Sequence, residues 1–249
     1  MMIEVRQLKK SFGAHRVLDG VDLRIEKGES VVIIGRSGGG KSVLLKHLIG
    51  LISPEAGDVL VEGESIARMT ERQLLKVRRK FGMLFQGAAL FDSLTVAENV
   101  GFVLHRERKL TESEIARKVD ETLEMVDLGG TQNQKPAELS GGMRKRVGLA
   151  RAIIYQPEIV LYDEPTTGLD PIVADSIDHL IVRVRERLAV TTVAVTHDMR
   201  SARRVGQRIL MLHQGRVHFN GTPDEILESK DPLVYRFVNG ISDPKESSS

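Results

Sequence analysis

Residues 30–50 read "SVVIIGRSGGGKSVLLKHLIG", an apolar run followed by a glycine-rich segment and a second stretch rich in leucine. The apolar run predicts a buried strand, and the stretch that starts at Lys41 predicts a helix. The segment between them, "GRSGGGKS" at 35–42, matches G-x-x-x-x-G-K-[ST], in which glycines let backbone N–H groups surround phosphates. We name residues 35–42 the phosphate loop. A strand, this loop and a helix in that order predict an α/β fold that binds a triphosphate.

Further β-rich runs predict a parallel sheet covered by helices. They lie at 82–86, 157–164 and 191–198. Residues of about 88–155 carry no convincing strand pattern, and they predict a helical insert within this α/β core.

Four helix starts are predicted from capping boxes, in which a threonine and a glutamate or glutamine three residues later satisfy each other's backbone N–H groups. The pairs are Thr70 with Gln73, Thr95 with Glu98, Thr111 with Glu114, and Thr222 with Glu225. After Thr111, helical spacing places one apolar face on Ile115, Val119, Leu123 and Val126.

Composition excludes several classes of protein. The 249 residues contain no cysteine, which excludes disulfides, thiolate nucleophiles and cysteine-ligated metals. A net charge of +2 is too balanced to indicate nucleic-acid binding. Apolar runs fall far short of the roughly 20 residues that span a bilayer, and the N-terminus lacks a signal-peptide pattern. We therefore expect a cytoplasmic chain that reaches a membrane only through partners.

Two carboxylates at the end of the predicted β-rich run at 157–164 supply further groups that a phosphate site needs. Lys41 is placed to reach the β- and γ-phosphates and Ser42 to bind Mg²⁺. In "IVLYDE", Asp163 is predicted to hold Mg²⁺ through water, and Glu164 to orient and activate the attacking water. The alternative for this Asp-Glu pair is the solvated start of a loop.

Two more polar side chains follow predicted strands. Gln86 and His197 come at the carboxyl ends of their strands, where parallel sheets bind ligands, and both are candidates to contact the metal, the water or the γ-phosphate. The alternatives are a surface amide for Gln86 and a structural histidine for His197.

A second candidate anion site opens "LSGGMRKRVGLAR" at 139–151. Ser140, Gly141 and Gly142 stand at a predicted helix start, where backbone N–H groups and the helix dipole attract anions. The basic residues that follow, at 144–146, either raise the positive potential of this site or form a solvated helix face. We name residues 139–143 the LSGGM segment.

The ordered set of these motifs resembles an ABC-type ATPase domain over residues of about 2–240. The resemblance implies a P-loop α/β fold with a RecA-like parallel-sheet core, an N-terminal antiparallel β subdomain and a helical insert. It also implies one ATPase domain over 1–241, followed by an unstructured tail at 242–249. Within the domain, the implied parts are a core with the β subdomain at about 1–87 and 156–230, a helical subdomain at about 88–155, and a helical tail at about 231–241.

The same resemblance implies the cofactors ATP and Mg²⁺ and a role for each matching residue. The implied nucleotide contacts are Phe12 (stacked on adenine, or simply packed), Gly35, Arg36, Ser37, Gly38, Gly39, Gly40, Lys41, Ser42, Val43, Ser140, Gly141, Gly142 and Asp170. The implied metal ligands are Ser42, Gln86 and Asp163, and the implied catalytic residues are Lys41, Gln86, Glu164 and His197. Such domains work as head-to-tail homodimers, in which each LSGGM-type segment serves the ATP bound by the partner's phosphate loop.

Departures from the common family pattern point to one branch of it. Met143 replaces the usual glutamine, Val43 follows the loop serine, and residues 168–170 read "GLD". The stretches at 40–51 and 83–104, the LSGGM segment and the tail "DPLVYRFVNGISDP" accompany these departures. These features resemble the ATPases of Mla-type, MCE-associated lipid transporters. That branch implies a homodimer on the inner membrane bound to an integral-membrane permease, a periplasmic MCE-domain protein, in some cases a STAS-domain regulator, and no nucleic acid. The alternatives are a transporter of another solute and a soluble ABC ATPase of DNA repair or translation.

Two apolar segments are candidates for contacts with partners. Leu90, Phe91 and Leu94 either line a groove for a permease helix or belong to the core of the helical insert. The apolar side of the tail at 231–241 either adds a dimer contact or packs on its own chain.

Overall fold

The computed structural model describes residues 1–242, so the predicted unstructured tail at 242–249 lies outside the described residues from position 243 on. The chain divides into two compact units. The first unit joins Met1–Arg68 to the segment that starts at Ala194, and the second unit is Met69–Val193. The predicted division into core, helical subdomain and tail remains a prediction.

The helices and strands follow one another in chain order. The first half contains β1 (Ile3–Phe12), β2 (His15–Ile25), β3 (Ser30–Ile34), α1 (Lys41–Leu48), β4 (Ala56–Val61), β5 (Glu64–Ser65), α2 (Glu71–Arg78), β6 (Phe81–Leu84), α3 (Val96–Glu107) and α4 (Glu112–Met125). The second half contains a 3-10 turn (Pro136–Glu138), α5 (Gly141–Ile153), β7 (Ile159–Asp163), α6 (Pro171–Leu188), β8 (Thr191–Thr196), α7 (Met199–Val205), β9 (Arg208–His213), β10 (Arg216–Gly221), α8 (Pro223–Leu227) and α9 (Pro232–Val238). No helix within residues 1–242 has both the length and the apolar character needed to cross a bilayer.

The first unit contains an antiparallel sheet with the strand order β2-β1-β4-β5. Its register pairs Val5 of β1 with Leu23 of β2 and with Val59 of β4, and all three side chains are buried. In the same unit, β3 runs parallel to β9, and β9 pairs antiparallel with β10. Every residue of β3 is buried, which explains why its sequence is an apolar run without alternation.

The second unit is built around β6 and β7, which run parallel and are buried along their whole length. Parallel neighbours need a long crossover, and here the crossover contains α3, α4 and α5. Residues 85–158, all of them described, contain no strand. The face predicted for α4 is confirmed, because Ile115, Val119, Leu123 and Val126 are all buried.

The predicted strands and helix starts are confirmed as well. The four predicted runs are β3, β6, β7 and β8, and each strand ends one or two residues before the predicted end. Polar residues such as Gln86 and His197 follow the strands without pairing in them. All four capping boxes are present, at the starts of α2, α3, α4 and α8.

Candidate functional site

The phosphate loop lies in the first unit and connects β3 to α1. Gly35 and Gly40 have φ angles of 152° and 91°, in a region that favours glycine. A Cβ on Gly35 would stand 2.4 Å from the Leu212 carbonyl oxygen of β9, and a Cβ on Gly40 would stand 2.8 Å from the Val17 carbonyl oxygen of β2. Both positions therefore need glycine for their backbone angle and for the space around them.

The Lys41 side chain stabilises the phosphate loop through hydrogen bonds to the loop backbone. Its side chain is buried, and Nζ donates to the carbonyl oxygens of Gly35 at 2.9 Å and Arg36 at 3.0 Å. Gly40 is the N-cap of α1 and gives the helix no side-chain cap, and the first turn contains no acidic residue. An ammonium group, a helix start without a side-chain cap and a glycine loop together suit a phosphate ligand.

The other loop residues differ in exposure. Arg36, Ser37 and Gly38 are exposed, Gly39, Ser42 and Val43 are half-buried, and Gly40 is buried. Ser42 is the second residue of α1 and therefore stands directly beside Lys41.

Two further predicted residues of the first unit are exposed. Phe12 ends β1 with a relative exposure of 51%, which disfavours the alternative that it packs in the core. The Lys10 ammonium lies 5.6 Å from the centre of the Phe12 ring. His197 follows β8 directly and is exposed, and Asp198 caps α7.

In the second unit, the pairing of β6 with β7 brings the predicted glutamine and glutamate to the same edge. Leu84 pairs with Tyr162 in parallel register. Gln86 and Glu164 each stand two residues further along their strands, so both emerge at this carboxyl edge. Gln86 is exposed, whereas Asp163 and Glu164 are buried.

Glu164 has a constrained backbone and an oriented carboxylate. Its φ angle of 48° lies in the left-handed region, which costs a non-glycine residue about 1–3 kcal/mol and is frequent at functional sites. The Thr167 hydroxyl donates to Glu164 Oε2 at 2.9 Å. This bond orients the carboxylate.

The LSGGM segment starts α5 through a serine cap. Ser140 Oγ accepts from the Met143 N–H at 3.2 Å. A Cβ on Gly142 would stand 2.6 Å from Val173 Cγ1, and a Cβ on Gly141 would stand 3.1 Å from Leu169 Cδ2. The glycines thus allow the start of α5 to pack closely against the start of α6. Asp170 caps α6 by accepting from the N–H groups of Ile172 and Val173.

Of the two alternatives for the basic residues after the LSGGM segment, the solvated helix face is wrong for Lys145. It is buried, and Nζ donates to the carbonyl oxygen of Gln86 and, at 3.2 Å, to that of Glu164. Burial lowers the pKa of Lys145, while the Glu164 and Asp163 carboxylates act in the opposite direction. Arg146 is also engaged, with Asp127 at 2.6 Å, and Arg144 donates to the Leu139 carbonyl oxygen.

The contacts of Lys145 and Thr167 were not predicted from the sequence. For Lys145 a signal existed, because it stands at helical spacing from Gly142, Leu149 and Ala152, all of which are buried. A lysine on such a stripe must bring its ammonium to acceptors. The Thr167 contact depends on the left-handed turn at Glu164, which no residue pattern indicates.

The donors predicted for a metal suit magnesium. Ser42, Gln86 and Asp163 offer hydroxyl, amide and carboxylate oxygens, the hard ligands that Mg²⁺ prefers. Within residues 1–242, no group of three or more His, Cys, Asp or Glu side chains is placed to hold a metal.

The family model described as "ABC transporter" matches residues 18–167. A relative from Mycobacterium leprae, "Probable ribonucleotide transport ATP-binding protein mkl", is 43% identical over 96% of this chain and 69% of its own length. The Haemophilus influenzae "Intermembrane phospholipid transport system ATP-binding protein MlaF" is 38% identical over 97% of this chain and 92% of its own length. The Bordetella parapertussis "Sulfate/thiosulfate import ATP-binding protein CysA" is 42% identical over 97% of this chain and 68% of its own length.

Among solved structures, the ATP-binding cassette MJ0796 matches with a TM-score of 0.82 and 34% identity, over 89% of this chain and 99% of that chain. That protein is described as a dimer in a post-hydrolysis state bound to ADP and Pi. The predicted fold class is therefore confirmed, including the N-terminal antiparallel sheet.

Replacing Gly35 with alanine should lower the free energy of unfolding far more than replacing Gly38 with alanine. Both residues have positive φ, but a Cβ on Gly38 meets nothing within 4 Å, whereas a Cβ on Gly35 meets backbone of β9. We expect Gly38→Ala to lower the free energy of unfolding by about 1 kcal/mol and Gly35→Ala by roughly 3 kcal/mol or more. Denaturant unfolding measures both variants, and equal losses would contradict the packing described for Gly35.

Proposed function

The chain belongs to the ABC transporter family as an ATP-binding subunit that binds Mg²⁺ and hydrolyses ATP, and we propose that this hydrolysis powers phospholipid transport between bacterial membranes. The observation that carries the proposal is the 38% identity to a phospholipid transport ATPase over 97% of this chain. Met143 and Val43, which depart from the common family pattern, support the same branch.

Nucleotide binding is proposed to start from the phosphate loop. Lys41 and the N–H groups of the first turn of α1 bind the β- and γ-phosphates, and Phe12 stacks on the adenine through its exposed ring face. Ser42, Gln86 and Asp163 hold Mg²⁺. When bound, Mg²⁺ neutralises phosphate charge during phosphoryl transfer.

Glu164 is proposed as the general base. Its carboxylate is buried and oriented by the Thr167 hydroxyl, and it takes a proton from the attacking water. His197, exposed after β8, is proposed to donate to the γ-phosphate, where negative charge must be stabilised.

The LSGGM segment is proposed to serve the nucleotide of a second copy of the chain. The Ser140 hydroxyl accepts from its own helix, and its proton remains a donor for a phosphate oxygen. Gly141 and Gly142 present the start of α5 without side chains. Asp170, at the start of α6, is proposed to contact the same nucleotide.

The permease is proposed to insert a helix into a cavity of the second unit. This cavity has a volume of about 510 Å³ and is lined by both apolar and charged residues. The lining residues are Leu75, Lys76, Arg78, Arg79, Val103, Glu107 and Tyr155. The exposure of Leu75 at 59% supports this position, because a large apolar side chain that lines an open cavity is stabilised when a partner covers it.

None of the residues predicted for docking from the sequence, Leu90, Phe91 and Leu94, lines this cavity. The Phe91 ring packs 4.7 Å from the Phe102 ring of α3, and the Arg151 guanidinium lies 5.8 Å from its centre. The Phe91 side chain is nevertheless exposed at 42%, so docking of the permease on this segment stays a prediction. Through the permease, we propose, the chain is held at the inner membrane, works with a periplasmic MCE-domain protein, and in some settings binds a STAS-domain regulator.

A transporter of another solute is the second candidate, because the sulfate import relative is 42% identical to this chain. The residues described above serve ATP hydrolysis in either case. The cargo is chosen by the permease and its partners, and only a transport measurement separates the two functions.

Replacing Glu164 with glutamine should preserve ATP binding and remove most hydrolysis. The amide fills the same space but cannot accept the proton, so kcat should fall by about 10²- to 10⁴-fold. Nucleotide affinity is measured by calorimetry and hydrolysis by phosphate release. A Glu164→Gln variant with the wild-type rate would rule out Glu164 as the base.

Reconstitution tests the cargo directly. The chain is purified with the permease and MCE protein of its own system and placed in liposomes that contain a fluorescent phospholipid. We expect ATP-dependent movement of the lipid to the MCE protein, and none when the chain carries Glu164→Gln. ATP-dependent uptake of labelled sulfate without lipid movement would contradict the proposal.

A further inference from the structure

We propose that Lys145 is a positioning residue for ATP hydrolysis: it ties the backbone at Gln86 and Glu164 to the helix that carries the LSGGM segment. This inference rests on the catalytic roles proposed for Gln86 and Glu164. It adds a residue that touches neither nucleotide nor metal and that acts through the two residues proposed to do so.

Strand register explains why one ammonium reaches both carbonyl oxygens. Leu84 of β6 pairs with Tyr162 of β7, and the two carbonyl groups belong to residues two positions beyond this pair. Both carbonyl groups therefore stand just beyond the carboxyl ends of adjacent parallel strands. Neighbouring strands lie about 4.8 Å apart, which lets a single ammonium between them donate to both.

Close packing of α5 on β6 brings the lysine to this edge. A Cβ on Gly148 would stand 2.8 Å from Leu84 Cδ1 and 3.2 Å from Ala88 Cβ, so a larger residue would have to displace these neighbours. Lys145 stands one turn before Gly148 on the same helix, and its Nζ reaches the Gln86 and Glu164 carbonyl oxygens.

The hydrogen bond from Lys145 to the Glu164 carbonyl oxygen stabilises a residue with a strained backbone conformation. With φ at 48°, this backbone needs neighbouring contacts to hold it. Lys145 fixes its carbonyl oxygen while Thr167 fixes its carboxylate. The peptide and the side chain of the proposed base are thus each held by a hydrogen bond.

Lys145 lies on a helix that is proposed to contribute to two nucleotide sites. Helix α5 starts at the Ser140 cap, which is proposed to contact the nucleotide of the second copy. One turn later the same helix holds the backbone of the base that serves this chain's own nucleotide. A movement of the start of α5 therefore also moves the backbone at Gln86 and Glu164, because the Lys145 side chain connects them.

Lys145→Met tests the inference, because methionine fills a similar volume without donating. We expect ATP affinity to stay within about twofold and kcat to fall by up to about 100-fold, as expected when a reacting group is displaced by about 1 Å. Lys145→Arg, which can donate to both carbonyl oxygens, should recover most of kcat.

Arg151→Met is the matched control. Arg151 is also on α5 and also donates to two backbone carbonyl oxygens, those of Ala88 and Ala89, at 2.8 Å each. Its loss should lower the melting temperature to a similar extent while kcat stays near the wild-type value. If Lys145→Met does not fold, Lys145→Gln is compared with Arg151→Gln in the same way.

Glu164→Gln in the same assay separates the two proposals. If Glu164→Gln is inactive while the Lys145 and Arg151 variants lose the same small fraction of kcat, Lys145 is only structural and the inference is overturned. A loss confined to ATP affinity overturns it as well. If Glu164→Gln hydrolyses ATP at the wild-type rate, the proposed base fails and the inference fails with it.

Discussion

The N-cap of helix α1 is Gly40, a residue without a side chain that could accept from the N–H groups of the first turn. The first N–H groups of any helix lack partners within it and need an acceptor from outside. Within residues 1–242, every other α-helix has a side-chain oxygen that accepts from its first turn. These oxygens belong to Thr70, Thr95, Thr111, Ser140, Asp170, Asp198, Thr222 and Asp231. The contrast indicates that α1 is built to meet an anion, and binding of ATP phosphates by this family uses such a helix start.

The LSGGM segment meets the same constraint in another way. Ser140 caps α5 with its oxygen and retains a proton that it can donate, so this helix is capped within its own chain and still offers a contact to a phosphate. The proposed head-to-tail dimer explains why one chain needs two such helix starts. One start holds the chain's own nucleotide, and the other completes the site of the second copy.

Much of the fold and of the candidate site could be predicted because it depends on local patterns. Capping boxes such as Thr95 with Glu98 involve residues one turn apart, and the buried strands β3 and β7 are continuous apolar runs. The hydrogen bonds of Lys145 could not be predicted in this way. They depend on the pairing of β6 with β7 and on the close approach of α5, which join residues 59 and 19 positions apart. The φ angle of Glu164 is likewise a property of the turn after β7.

The measurement that tests the proposed dimer most directly uses two inactive variants of the chain. Lys41→Ala removes the ammonium of the phosphate loop, and Ser140→Asp keeps a capping side chain but sets a negative charge against the phosphate. In a mixed dimer whose LSGGM segments act on the partner's nucleotide, one site carries both lesions and the other carries neither. We expect ATPase activity to return on mixing, up to the level of a wild-type/Lys41→Ala heterodimer. No recovery, when that reference heterodimer is clearly active, would show that each LSGGM segment serves its own chain and would contradict the proposed dimer.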